Sequence, residues 1–93
     1  MPHPKVSVII VNYNGKKFLE KCLESLCKVN YENFEIIVVD NNSTDGSIEL
    51  VTKNYPSIIL LKLNSNKGFA EPNNIGAKIA NGKYLLFLNN DTI

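Results

Sequence analysis

Residues Lys5–Val11 (KVSVIIV), closed by Asn12-Tyr13-Asn14-Gly15, decide how this chain is read. Val6, Val8, Ile9, Ile10 and Val11 are β-branched and nearly continuous, as in a strand buried on both faces of a parallel sheet; a half-exposed strand would alternate apolar and polar residues. Beyond the polar stop, Phe18, Leu19, Cys22, Leu23 and Leu26 recur at helical spacing, with Lys17, Glu20, Lys21 and Glu24 largely on the other side. That periodicity predicts an amphipathic helix over Lys16–Lys28.

The same unit then repeats. Phe34–Val39 (FEIIVV) predicts a second buried strand, Asp40–Gly46 a polar turn, and Ser47–Asn54 a short helix carrying Ile48 and Val51 inward, with Pro56 ending it. Ile58–Leu63 predicts a third strand, Asn64–Gly68 a turn, Asn73–Ala80 a third helix and Lys83–Leu88 (KYLLFL) a fourth strand. Alternating strands and helices with short turns define the α/β class: an open parallel sheet with right-handed crossovers and helices on its faces. Each polar cluster follows a strand, so all of them collect at the carboxyl rim, where open α/β sheets bind ligands.

Composition narrows the function. Ten basic against nine acidic residues leave a net charge of +1 over 93 residues, which gives no electrostatic footprint for nucleic acid or an anionic membrane. The apolar runs fall far short of the roughly 20 residues that span a bilayer, and Met1–Lys5 leads straight into a strand without a signal's cleavage site. A cytoplasmic chain is expected, with membrane association left open for a parent enzyme. Cys22 and Cys27 lie about 140° apart around one helix, which argues against a disulfide and for two packing thiols. One histidine and no CxxC spacing argue against a structural zinc site. The last residues, Asp91-Thr92-Ile93, follow the fourth strand directly, and the expectation is that residues 1–93 are a portion of a longer protein.

Three rim clusters carry possible chemistry. Asn12-Tyr13-Asn14-Gly15 suits turn geometry and helix capping. Asp40 ends a buried strand, where a carboxylate needs hydrogen-bond donors either from a ligand, such as a base N–H or a ribose hydroxyl, or from nearby backbone. Asn89-Asn90-Asp91-Thr92 suits a hard divalent cation that takes its remaining ligands from phosphates, or else an Asx turn. Asn64–Gly68 and Glu71–Asn74 add polar groups, among them Lys67, whose charge would offset a diphosphate. No G-x-G-x-x-G or G-x-x-x-x-G-K-[ST] occurs and no nucleophile elbow is present, so dinucleotide, P-loop and triad chemistries are not indicated.

Taken in order, VSVIIVNYNG (Val6–Gly15), IIVVDNNSTDGS (Ile36–Ser47), NKGFAEPNNIG (Asn66–Gly76) and YLLFLNNDT (Tyr84–Thr92) closely resemble family-2 glycosyltransferases, above all their rhamnosyltransferase-like branch. The resemblance implies the A-type glycosyltransferase fold, with strand order 3-2-1-4 and a crevice between strands one and four flanked by Asn12 and Asp91. It implies that Asp40 contacts the nucleotide base together with Val11, Asn12 and Tyr13, and that Asn42 and Asn89 belong to the nucleotide site. Gly68, Asn73 and Asn74 match the segment near ribose and phosphates. Asp91 matches the last acid of the Asp-x-Asp metal motif and would hold Mg²⁺ or Mn²⁺; the motif's first acid is Asn89 here, which leaves Asp91 as the strong ligand. The activity implied is inverting transfer from a nucleoside-diphosphate-sugar donor, UDP- or dTDP-linked, to a glycan or lipid-linked acceptor, as in polysaccharide biosynthesis. The general base and acceptor pocket would lie in the family's later half, so residues 1–93 would be the donor-nucleotide-binding part, inactive alone.

Two other readings fit less well. A phosphoacceptor signalling module, non-catalytic and doubly wound, would carry paired acids after strand one and an Asp after strand three; Asn12 and Asn64 stand there. A sugar nucleotidyltransferase would carry Arg in its first loop, and Asn12–Lys17 has none. In the order 3-2-1-4 the fourth strand is an apolar sheet edge, which predicts self-association around it.

Overall fold

The computed structural model describes residues 5–29, 33–68 and 70–89. Seven elements alternate: β1 (Val6–Asn12), α1 (Lys16–Cys27), β2 (Phe34–Asp40), α2 (Ser47–Asn54), β3 (Ile59–Lys62), α3 (Ala70–Ile79) and β4 (Tyr84–Asn89). The four strands form one parallel sheet in the order β3-β2-β1-β4, as expected.

Period-two alternation along β1 and β2 divides the core into two layers. Val8, Ile10, Ile36 and Val38 pack with Leu19 and Leu23 of α1 and Val51 of α2, whereas Ile9, Ile37 and Val39 meet Ala77 on the α3 face. Both inner strands are therefore covered on each side. The chain winds from β1 outward through β2 to β3, then crosses back over the opposite face to lay β4 beside β1. That reversal makes the carboxyl ends of β1 and β4 the topological switch point of the sheet.

Several boundaries differ from the sequence reading. β1 and β2 each run one residue further than expected because Asn12 pairs in register with Asp40, and the Asn41 N–H donates onward to the Asn12 carbonyl at 2.8 Å. α3 begins at Ala70 instead of Asn73. Pro72 does not break it: in the first helical turn no backbone N–H is called on, so proline costs nothing there. Leu50 and Val51 are the buried apolar residues of α2, and Ile48 is half-buried. Cys22 is half-buried, but Cys27, the last residue of α1, is exposed, which corrects its reading as a packing residue. Both thiols are free.

Gly76 sets the closeness of α3. A Cβ there would sit 2.6 Å from Ile9 Cγ2 and 3.3 Å from Val39 Cγ2, so the helix backbone rests directly on the sheet. At the amino end of the sheet, Glu35 Oε2 accepts from the Ser7 hydroxyl at 2.6 Å and from the Asn81 N–H at 2.7 Å, and Lys5 Nζ lies 3.6 Å from Oε1. Burial opposes ionisation of Glu35, but these donors and the Lys5 charge outweigh it and hold the carboxyl below its ordinary range.

β4 ends the sheet order. Leu85, Leu86 and Phe87 are 42%, 47% and 45% exposed, although their sequence is as apolar as that of β1. Among the described residues no helix is long and apolar enough to cross a membrane.

Candidate functional site

The carboxyl ends of β1 and β2 meet in a buried polar network. Asn12 is fully buried and Asp40 and Asn41 are 1% exposed. Asp40 Oδ1 accepts from Asn12 Nδ2 at 2.9 Å and from the Ser43 hydroxyl at 2.8 Å, while Oδ2 accepts from the Ser43 N–H at 2.7 Å. The local alternative for satisfying this carboxylate is thus realised within the chain. With two acceptor positions on each oxygen, the described residues fill one of the two on Oδ2.

Ser43 and Asn14 lace the two loops together. The Asn14 N–H donates to Ser43 Oγ at 2.9 Å, and the Thr44 N–H donates to Asn14 Oδ1 at 2.7 Å. Asn14 (φ 49°) and Asn42 (φ 72°) both hold left-handed backbone, which Asn tolerates better than other residues with a Cβ.

Asp45 joins the starts of two helices. Its Oδ2 accepts from the Lys16 N–H at 2.9 Å and its Oδ1 from the Ser47 N–H at 3.0 Å and from the Ser47 hydroxyl. Burial works against its charge, but the hydrogen bonds from Ser47 and Lys16 prevail and its carboxyl lies below the usual aspartate range. Gly46 (φ +93°) lets the chain turn into α2 beside Lys16, whose Nζ would lie 3.3 Å from a Cβ at that position.

The third loop is held by Asn41. Its Nδ2 donates to the Gly68 carbonyl at 2.7 Å and its Oδ1 accepts from the Lys67 N–H at 3.0 Å. Lys67 Nζ lies 3.8 Å from Glu71 Oε2, so the charge expected to face a diphosphate is shared with a neighbouring carboxylate one turn on.

The site residues expected from sequence fall into distinct environments. Val11, Asn12 and Asp40 are buried at the strand ends, while Tyr13 (47% exposed) and Asn42 stand open on the loops. Gly68 shapes the loop entering α3 with φ +78°, its N–H donating to Asn66 Oδ1 at 3.0 Å. Asn73 and Asn74 lie in the first turns of α3, where Asn74 is exposed and Asn73 is half-buried with its Oδ1 buried and unpartnered. Asn89 ends β4 in register with Val11. Asp91 lies outside the described residues, and among those described no group of three or more His, Cys, Asp or Glu could hold a metal ion.

Sequence reasoning passed over Asn14, Asn41 and Ser43 as site-forming residues. The signal for Asn41 was an amide directly following a buried strand terminus, where it extends the ladder and is itself buried. A separate hollow of about 450 Å³ lies at the opposite, amino end of the sheet, lined by Cys27, Phe34, Tyr55 and Ile58 among others, away from these groups.

A parallel sheet reversing between β1 and β4, with polar loops gathered at its carboxyl rim, defines a nucleotide-type α/β fold. Residues 7–93 match the model of glycosyl transferase family 2, and the chain belongs to that family. It is 41% identical over 87 residues to the Escherichia coli UDP-Glc:alpha-D-GlcNAc-diphosphoundecaprenol beta-1,3-glucosyltransferase WfaP, covering 92% of this chain and 35% of that protein. It superposes on Staphylococcus aureus TarS 1-349 in complex with UDP with a TM-score of 0.86 and 35% identity, covering 94% of this chain and 27% of that one. Against the Pyrobaculum calidifontis mannosyltransferase PcManGT in complex with GDP-Man and Mn2+, the TM-score is 0.82 at 27% identity, covering 96% and 28% of the two chains. The chain thus spans about a third or less of these relatives. The expected strand order of an A-type glycosyltransferase half stands.

Proposed function

We propose that this chain is the donor-binding part of a larger glycosyltransferase domain, taking a UDP- or dTDP-sugar at the rim formed by Asn12, Tyr13, Asp40, Asn42 and the start of α3. The observation that carries this reading is Asn73 Oδ1, a buried acceptor without a partner on the first turn of α3. Such an atom is costly unless a ligand hydroxyl, N–H or water meets it. The second acceptor position on Asp40 Oδ2 suits a base imide N–H, and the exposed ring of Tyr13 suits stacking on a base.

The motif resemblance to the rhamnosyltransferase-like branch, and the UDP-Glc in WfaP's name, support a hexose-type donor. The same comparisons support a glycan or lipid-linked acceptor. A divalent ion, Mg²⁺ or Mn²⁺, would be held by Asp91 and would supply charge neutralisation at the departing diphosphate. Transfer is inverting, through an oxocarbenium-like transition state. The general base and acceptor pocket come from residues beyond those matched, and the 93-residue chain alone transfers no sugar. The exposed edge of β4 pairs with a second copy when the chain is isolated.

Calorimetry with UDP, dTDP and GDP, each with and without Mn²⁺, tests the reading. Pyrimidine diphosphates bind in preference to GDP, and Asp91→Asn removes the Mn²⁺ dependence while Asn73→Ala weakens all three. Equal, metal-independent binding of the three nucleotides, unchanged in both variants, would overturn it.

A further inference from the structure

Asn41 is buried as deeply as Asp40, yet it has no place in the base contact or metal motif of the family resemblance. Its backbone N–H donates to the Asn12 carbonyl at 2.8 Å, which fixes it to the end of β1. Its side chain then crosses to the loop after β3, donating from Nδ2 to the Gly68 carbonyl at 2.7 Å and accepting at Oδ1 from the Lys67 N–H at 3.0 Å. One buried amide thereby joins β1, β2 and the loop from which α3 starts, and α3 carries Asn73 and Asn74, five and six residues after Gly68.

We infer that Asn41 is a positioning residue for donor binding: its side-chain amide sets the 67–68 backbone, and through it the first turn of α3, against the ends of β1 and β2. This rests on the donor site proposed above. The chemistry needs an amide, because one end must donate and the other accept. An ionised aspartate at this position is nearly isosteric but turns a second acceptor toward the Gly68 carbonyl, and the two oxygens repel. A protonated aspartic acid restores one donor and one acceptor. The charged groups nearby are Asp40, whose carboxylate is turned toward Asn12 and Ser43, and Lys67, whose ammonium lies toward Glu71.

The test pairs two readouts on the 93-residue chain. Amide hydrogen exchange at Lys67 reports the tether, and calorimetry with UDP and Mn²⁺ reports the consequence. In Asn41→Ala, Lys67 exchange accelerates at least about tenfold and UDP binds about tenfold more weakly. In Asn41→Asp, the ratio of variant to wild-type affinity is low at pH 8 and returns toward one at pH 5, which a role in general packing would not produce. Unchanged Lys67 protection in Asn41→Ala overturns the tether. Lost protection with unchanged UDP affinity, or an Asn41→Asp ratio that stays flat with pH, overturns the positioning role. Wild-type chain that binds no UDP at all overturns the donor-site reading instead, while the exchange result still decides the tether. Should Asn41→Ala not fold, the pH series on Asn41→Asp decides alone.

Discussion

The side-chain amide of Asn12 donates to Oδ1 of Asp40 across the tips of two neighbouring parallel strands, at 2.9 Å and out of contact with solvent. This bond and the two from Ser43 make Asp40 the centre of the rim as well as a candidate ligand contact. Its replacement therefore reads out on folding before it reads out on binding.

Asp40→Ala leaves Asn12 Nδ2 and the Ser43 N–H without their carboxylate partner. Asn12 Nδ2 keeps its 3.2 Å bond to Ser43 Oγ, so a loss of about 1–3 kcal/mol is expected from the missing carboxylate bonds, measured as a fall in the urea midpoint at unchanged slope. A variant within about 0.5 kcal/mol of wild type would show that Asp40 is spared for ligand alone.

Gly76→Ala places a methyl group against Ile9 and Val39 where the free approach is only 2.6 Å to the nearer. The helix must lift or the sheet side chains must leave their rotamers, at a cost of about 1–3 kcal/mol despite alanine's better helix propensity. Thermal denaturation decides the sign: a higher midpoint would mean that α3 is not seated as closely as described.

Acid weakens the fold through Glu35 and Asp45. Both carboxyls are held below their unfolded values, so each stabilises fully above about pH 4–5 and loses that contribution as pH falls through its folded pKa. Urea midpoints at pH 7, 5 and 3 should decline, with Glu35→Gln and Asp45→Asn each flattening the decline. A midpoint that rises toward pH 3 would contradict the arrangement of donors around both groups.

The β4 edge predicts association of the isolated chain. Leu85, Leu86 and Phe87 are each between 42% and 47% exposed on the strand that forms the sheet edge among the described residues, and burying a few hundred Å² of such surface is worth several kcal/mol gross at about 25 cal/mol per Å². Light scattering should give a dimer or larger species at high micromolar concentration, and Leu86→Lys should shift it toward monomer. A clean monomer in the wild-type chain refutes the pairing.

Much of the architecture was legible in one dimension. Continuous β-branched runs such as Val8–Val11 fit strands covered on both faces, and the spacing of Leu19 and Leu23 fits a helix seated on them, because burial periodicity is a local property of the chain. The placement of polar clusters after strands follows from the same alternation, as does their common rim.

Tertiary structure decided what those polar residues do. Whether Asp40 is met by its own chain is not written in its identity, and only the pairing of Asn12 with Asp40 in register, with Ser43 folded back beneath, supplies three donors from the chain itself. Asn41 and Asn42 are adjacent and chemically identical in sequence, yet one is buried on the Lys67–Gly68 backbone and the other turns outward with φ 72°. Hydrogen-bond partners more than two dozen residues apart are set by strand order and register, and side-chain identity alone carries no record of which partner the crossover will bring within reach.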